Sequence, residues 1–394
     1  MTFGKDGATG QPAPSIGVLF LSFLRLGLTA FGGPAMVAYI GEMAVKRRKW
    51  LDQETFKRGV ALCQSIPGAT AMQSAAYVGF CVRGITGALA AYVGFGLPAF
   101  VLMVILSSLY STSRDMAIVG ALFAGLQVIV VALVANAAYT FGRASIRHYT
   151  DAFLACASAA FFLLKVSPFF VIAGAAVAGL LIARMEGPAS GASPCGQRPL
   201  QARVLILLLL VALAGLGVLY LLNPKLSVLA LLMLKVDLFA FGGGFASVPL
   251  MLQEIVNVRG WMDSKTFMDG IALGQITPGP IVITAAFVGY LLHGLTGATV
   301  ATVAIFTPSF ILLVATVPFL DALNRSTLFK KALRGVLASF VGLLLSVVIS
   351  FALAVPWDWL RVMLAFVAFA ALLRKVSILY VVFAGALLSL ILLR

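Results

Sequence analysis

The chain has 394 residues, of which 62% are hydrophobic and only 10% charged, and its mean hydropathy is +1.08. That balance excludes a water-soluble globular domain, and the absence of short alternating segments excludes a transmembrane barrel, leaving an all-α integral membrane protein. The net charge of +15 does not argue for nucleic acid, because the basic residues sit mostly in short loops between apolar runs, where they orient helices against the cytoplasm.

Residues 1–15 read as a polar tail with no small-residue cleavage site after the apolar stretch that follows, so the first helix is expected to be retained. A first repeat is assigned to residues 16–185. It opens with an apolar helix, Ile16 to Phe31, that stops at Gly32-Gly33 and resumes as a second short apolar piece. Glycine frees the backbone there, which predicts a broken helix or hairpin. After a polar loop with Trp50 comes a segment from about Gly59 to Phe80, interrupted by Pro67-Gly68 and too short for two crossings, so it is expected to be re-entrant. Four longer helices follow, near Ile85 to Leu109, Met116 to Phe141, Asp151 to Leu164 and Phe169 to Ala183. Residues 186–225 form a linker, made of a Gly/Pro/Ser-rich loop (Glu186 to Pro199) and one helix, Val204 to Leu222, without a counterpart elsewhere.

The second repeat, residues 226–394, reproduces the first at an offset of 210 or 211 residues. Phe31-Gly32-Gly33-Pro34 returns as Phe241-Gly242-Gly243-Gly244, Trp50-Leu51-Asp52 as Trp261-Met262-Asp263, and Gln64 to Gly68 as Gln275 to Gly279. A match this long means duplication. Six crossings per half plus the linker helix give about thirteen, an odd number, which predicts that the second repeat is inverted. Loop charges agree. The first-repeat loop carries Lys46, Arg47, Arg48, Lys49, Lys57 and Arg58, whereas its copy holds Arg259 and Lys265 beside Glu254, Asp263 and Asp269. The bias then reverses, with Arg114 alone near Ser111 to Asp115 facing Arg325, Lys330, Lys331 and Arg334 in the copy.

The breaks carry the candidate chemistry. Thr277 is expected to act as an N-cap and Pro278 to fit a first helical turn, with Gly279 between them and the following half-helix, whose free N–H groups and positive dipole end would bind an anion. Ser65, Pro67 and Gly68 offer the same from the other repeat. Arg25 and Lys235 occupy equivalent positions inside the apolar layer, where a charge costs about 2.5–3.5 kcal/mol on insertion scales and two bases favour an anion path. Gly32, Gly33, Gly242, Gly243, Gln73, Gln275 and Thr284 complete the expected substrate-binding set, the last three as hydrogen-bonding groups. Asp237, Glu42 and Glu254 are the candidates for ion coupling, with Asp237 the deepest. No metal site is expected from His148 and His293, and the four cysteines (Cys63, Cys81, Cys156, Cys195) read as small core residues rather than disulfides. No GxxxxGK[ST] motif is present, and neither nucleotide nor other cofactor is expected.

This series of motifs resembles the chromate ion transporter family, whose two homologous domains each carry Phe-Gly-Gly-Pro or Phe-Gly-Gly-Gly followed by Pro-Gly-Pro; here the first such element reads Pro67-Gly68-Ala69. The resemblance covers Phe20 to Leu180 and Leu229 to Leu392. It implies membrane export of chromate, with sulfate as the related oxyanion. The expectation is a multi-pass protein of a bacterial-type inner membrane whose efflux confers chromate resistance, driven by membrane potential or an ion gradient because a dianion gains energy on leaving an inside-negative cell. Import or exchange of sulfate or another oxyanion is one alternative. A membrane enzyme acting on phosphorylated lipids is the other, although no carboxylate or histidine cluster supports it. The expected partners are the oxyanion and the bilayer, with a homodimer left open.

Overall fold

The computed structural model describes residues 14–31, 35–182, 202–319 and 326–392, which form fifteen α-helices and no strand. Gly32, Gly33, the linker loop at 186–199 and Arg325 lie outside the described residues.

Helix α1 (Ile16–Thr29) is capped by Ser15, whose hydroxyl accepts the Val18 amide at 3.3 Å. The chain resumes as α2 (Ala35–Gly41), which loosens into a π-helical turn, Glu42–Arg47. This second piece runs back along the first. Arg48 donates to Ser22 Oγ at 3.3 Å, and Trp50 stacks on Phe23 with ring centroids 6.4 Å apart, so the opening element is a hairpin. Helices α9 (Pro224–Leu238) and α10 (Gly244–Met251), with a π-helical turn over Leu252–Val258, repeat it.

Helix α3 (Gln53–Ser65) starts on Asp52, which accepts the Thr55 amide at 2.8 Å. After the break at 66–69 the chain returns as the first arm of α4 (Thr70–Ser113). The Tyr77 hydroxyl donates to the Thr55 carbonyl at 3.2 Å, and a Cβ at Gly59 would lie 2.0 Å from the Tyr77 ring. The re-entrant geometry is thus present. Helix α4 then folds sharply on itself at Arg83-Gly84, where Gly84 has φ +66 and a Cβ on Gly79 would meet the Gly87 carbonyl at 2.2 Å. The second repeat copies both turns: α11 (Ser264–Ile276) packs Gly270 against Phe287, and α12 (Thr284–Thr316) reverses at His293-Gly294.

Among the described residues, five regions are long and apolar enough to cross a membrane: the stretches containing the long arms of α4 and α12, together with α5 (Ala117–Ser145), α8 (Ala202–Leu222) and α13 (Thr327–Ala354). The remaining apolar helices are 14 or 15 residues long, about 22 Å at 1.5 Å per residue, against a hydrocarbon core of about 30 Å. They pair as hairpins. The two long arms meet across the repeats: Tyr92 donates to the Phe306 carbonyl at 2.7 Å and packs on Phe310, beyond its own counterpart Thr302.

The terminal hairpins are exchanged between repeats. Helices α6 (Tyr149–Leu163) and α7 (Pro168–Ile182), joined through Lys165 at φ +61, seat on α13: Cβ atoms on Gly342 and Gly335 would come within 2.3 and 2.0 Å of the Ala155 and Ala175 carbonyls, and Arg334 pairs with Asp151 at 2.7 Å. Helices α14 (Trp359–Leu373) and α15 (Ile378–Leu392) seat on α5, where Ser389 Oγ accepts the Gly125 amide at 3.1 Å. Cys63 and Cys156 are free thiols but Cys81 is disulfide-bonded, which corrects the reading of all four cysteines as unpaired; spacing along a chain does not report which thiols a fold brings together.

Candidate anion site at the helix breaks

Each repeat's re-entrant loop is tied to the other repeat's opening helix. The Gly68 amide donates to the Ala240 carbonyl at 2.9 Å, and the Gly279 amide to the Ala30 carbonyl at 3.1 Å. Both glycines sit in left-handed backbone, φ +116 and +113, which a side chain would strain. The breaks of both halves therefore converge, as an inverted duplication requires.

Beside them lies a cavity of about 510 Å³, within the ~300–1,000 Å³ range of small-molecule sites. Its wall is built from α2, α3, the start of α4, and Gly242, Gly243, Gly244, Phe245, Pro280 and Ile281 of the second repeat. Two helices begin there without a side-chain cap: α4 after Ala69, and α10 after Gly243, which has φ +94. Uncapped first-turn amides carry partial positive charge and seek acceptors. Among the described lining residues Lys57 is the charged one, accompanied by the exposed Gln64 and by Thr70. Lys57 was legible only as one of several loop bases, and Thr70 carried no signal of its own.

Asp237 does not line this cavity and is fully buried. Its Oδ2 accepts both the Ser309 amide (2.7 Å) and hydroxyl (2.6 Å), and Ser309 Oγ in turn accepts the Ala69 amide at 3.1 Å. Gln73, also buried, donates to the Pro67 carbonyl at 2.7 Å. The loop that starts α4 is thus latched from α9 through Ser309. The counterparts of Asp237 and Ser309 are Gly27 and Ala99, so only one half has this latch.

The other expected residues are placed as follows. Thr277 does not start a helix. It ends α11, its amide donating to the Leu273 carbonyl and its hydroxyl to Gly274 at 3.0 Å, so Pro278 belongs to the loop rather than to a first helical turn. Ser65 donates back to the Ala61 carbonyl at 2.7 Å, and Thr284 to Ile281 at 2.8 Å. Gln275 is buried, with its Nε2 unpartnered. Arg25 is exposed on α1, and Lys235 is held by Glu254 at 3.1 Å and over the Phe169 ring at 3.6 Å; neither lines the cavity. Glu42 pairs with Arg47 at 2.8 Å, and Glu254 has Arg259 as a second partner at 3.8 Å. Asp269, read from sequence as a loop charge, is also a buried carboxylate, accepting from Tyr110 and Gln127 at 2.8 Å each. Its place within the mostly apolar α11, rather than beside it, was the available clue.

A family model described as chromate transporter matches this chain twice, over residues 17–180 and 227–390. The chain belongs to the chromate transporter family. An uncharacterised transporter of Methanocaldococcus jannaschii is 46% identical over 381 residues, covering 96% of this chain and 94% of the relative. A chromate transport protein of Cupriavidus metallidurans is 31% identical over 390 residues (96% and 94%), and one of Pseudomonas aeruginosa 31% over 350 residues (84% and 80%). No solved structure matches. Family membership and the long apolar helices together make this a multi-pass membrane protein.

Proposed function

We propose that the protein exports chromate from the cytoplasm across the inner membrane, binding the dianion in the cavity at the helix breaks. The observation that carries this reading is the convergence of two uncapped helix starts and Lys57 on one cavity, in a chain whose relatives are named chromate transport proteins. Lys57 attracts the dianion, Gln64 and the Thr70 hydroxyl donate to its oxygens, and the first-turn amides of α4 and α10 replace part of its hydration shell. Lys57 follows the basic run Lys46 to Lys49, which the positive-inside rule places at the cytoplasm, so the open cavity faces the side from which chromate leaves.

Membrane potential supplies the drive. A dianion leaving an inside-negative cell gains about 2.3 kcal/mol per charge per 100 mV, hence on the order of 4–5 kcal/mol, or roughly a thousandfold concentration bias. That bias is enough for resistance to a toxic anion. Asp237 serves as the residue through which an ion gradient could add to this drive, since its carboxylate holds the cavity loop; Glu42 and Glu254 are already committed to ion pairs. The test is chromate flux in inverted vesicles with the potential clamped by potassium and valinomycin at equal pH on both sides. Flux should rise with inside-negative potential in the cell's sense, and flux indifferent to potential would overturn the electrogenic mechanism.

A further inference from the structure

The open cavity has a twin. Carrying its lining through the repeat offset takes Val37 to Val248, Val60 to Ile271, Gln64 to Gln275 and Thr70 to Ile281. These four counterparts come together again in the second repeat, where Ile281 and Phe245 also border the open cavity, but Leu133 and Val134 of α5 and Leu344 of α13 are pressed onto the group, leaving no room for a water molecule. One copy of the site is open while the other is shut.

The shut copy holds a polar group with nothing to bond. Gln275 is only 8% exposed and its Nε2 has no partner, whereas its counterpart Gln64 stands exposed in the open cavity. A buried amide donor left unsatisfied costs about 1–3 kcal/mol. A leucine would fill this place without that cost, so the position needs a reason to be glutamine. An unpartnered N–H₂ donor on a residue lining an apolar, closable pocket is satisfied by an acceptor that arrives when the pocket opens, and in this chain that acceptor is an oxyanion oxygen.

We propose that Gln275 is the oxyanion contact of a second binding position, formed when the second-repeat cavity opens to the opposite face and the first-repeat cavity closes. The inference rests on the transport reading above and adds to it a distinct residue for each face. Opening separates α10 and α11 from the Leu133, Val134 and Leu344 side chains, while Gln64 takes over the buried position that Gln275 holds here. Because the repeats run antiparallel, the two cavities lead to opposite sides of the bilayer.

The experiment measures half-saturating chromate separately at each face, using counterflow in right-side-out and inverted vesicles. Gln275→Leu should raise it roughly tenfold at the face opposite Lys57, as loss of one hydrogen bond to an anion predicts, and leave the Lys57 face within about twofold. Gln64→Leu should do the reverse. Equal effects at both faces, or no effect from Gln275→Leu at normal membrane abundance, would overturn the assignment. A second readout does not depend on flux: in a chain whose native cysteines are replaced by serine, Gln275→Cys should take an impermeant maleimide from the face opposite to that which labels Gln64→Cys. Labelling of both from one face, or none at position 275 while chromate flux persists, sinks this inference alone. Opposite-face labelling without chromate flux would sink the substrate reading instead and leave the paired cavities standing.

Discussion

Replacing Asp237 with alanine removes the acceptor for two buried donors at once. Pro308 interrupts α12 one residue before Ser309, and the Ser309 amide is turned to Asp237 Oδ2 at 2.7 Å beside the hydroxyl at 2.6 Å. Without the carboxylate the amide is orphaned, at about 1–3 kcal/mol, while the hydroxyl can rotate to a helix carbonyl and recover part of its loss. The expected destabilisation of Asp237→Ala is therefore about 2–4 kcal/mol. Asp237→Asn keeps an acceptor of the same shape and loses only the charge assistance, so it should stay within about 1 kcal/mol of the parent. Ser309→Ala cuts the same chain at its middle, leaving the Ala69 amide without its 3.1 Å partner. The double variant should cost less than the sum of the singles, because both remove one network. Reversible unfolding in mixed micelles gives these free energies, and chromate flux gives the consequence at the cavity, since the latch fixes the start of α4. Additive losses, or an alanine variant as stable as the asparagine variant, would refute the latch.

Gly68→Ala should fail to accumulate in the membrane: its φ of +116 strains a side chain by about 1–3 kcal/mol, and the new Cβ would sit 1.9 Å from Ser309 Oγ. Gly120→Ala, which meets nothing within 4 Å, is the control expected at normal abundance by immunoblot. Lys57→Gln should raise half-saturating chromate roughly thirtyfold from the basic-loop face at low salt, since a unit charge pair at 4 Å in water is worth about 1 kcal/mol and the anion carries two charges. The effect should shrink as salt screens it, and a salt-independent loss would place Lys57 elsewhere in the mechanism. At the start of α3 the Thr55 hydroxyl, and then its amide, hold the Asp52 carboxyl below its ordinary 3.8. A depressed folded value means the cap contributes fully above the unfolded pKa and fades as pH falls through the folded one. Asp52→Ala should thus cost about 0.5–2 kcal/mol at neutral pH, and the gap should narrow below pH 3.8.

The duplication was readable because its markers are backbone requirements. Gly68 and Gly279 recur because each must hold a left-handed loop against the opposite helix end, and Gly84 and Gly294 because each turns a helix back on itself. Helix length was less readable. An apolar run of 15 residues and one of 20 have the same composition, so the sequence alone does not give the 15-residue lengths of α6, α7, α14 and α15. Thr277 before Pro278 fits a helix start as well as a helix end, and only the Gly274 carbonyl, three residues back, decides between them. Lys57 was one base among many, because no local pattern says which solvated lysine borders a cavity. Gln275 was named from its motif, but its burial without a partner is a tertiary fact.

The exchanged hairpins bear on how such a chain is made. A ribosome delivers α6 and α7 long before α13 exists, so the surfaces that will seat Gly335 and Gly342 first meet lipid or a provisional neighbour. Lipid tails are as apolar as leucine, and no water-driven force gathers the pieces; close backbone contact at small residues has to do it. The first half cannot reach its final packing when its own synthesis ends, and α5 waits longer still, until the last helix of the chain has been inserted. Quality control that inspects half-finished membrane proteins would therefore meet this one in an open state by design of its topology, and a stop codon late in α15 would undo packing laid down around residue 125.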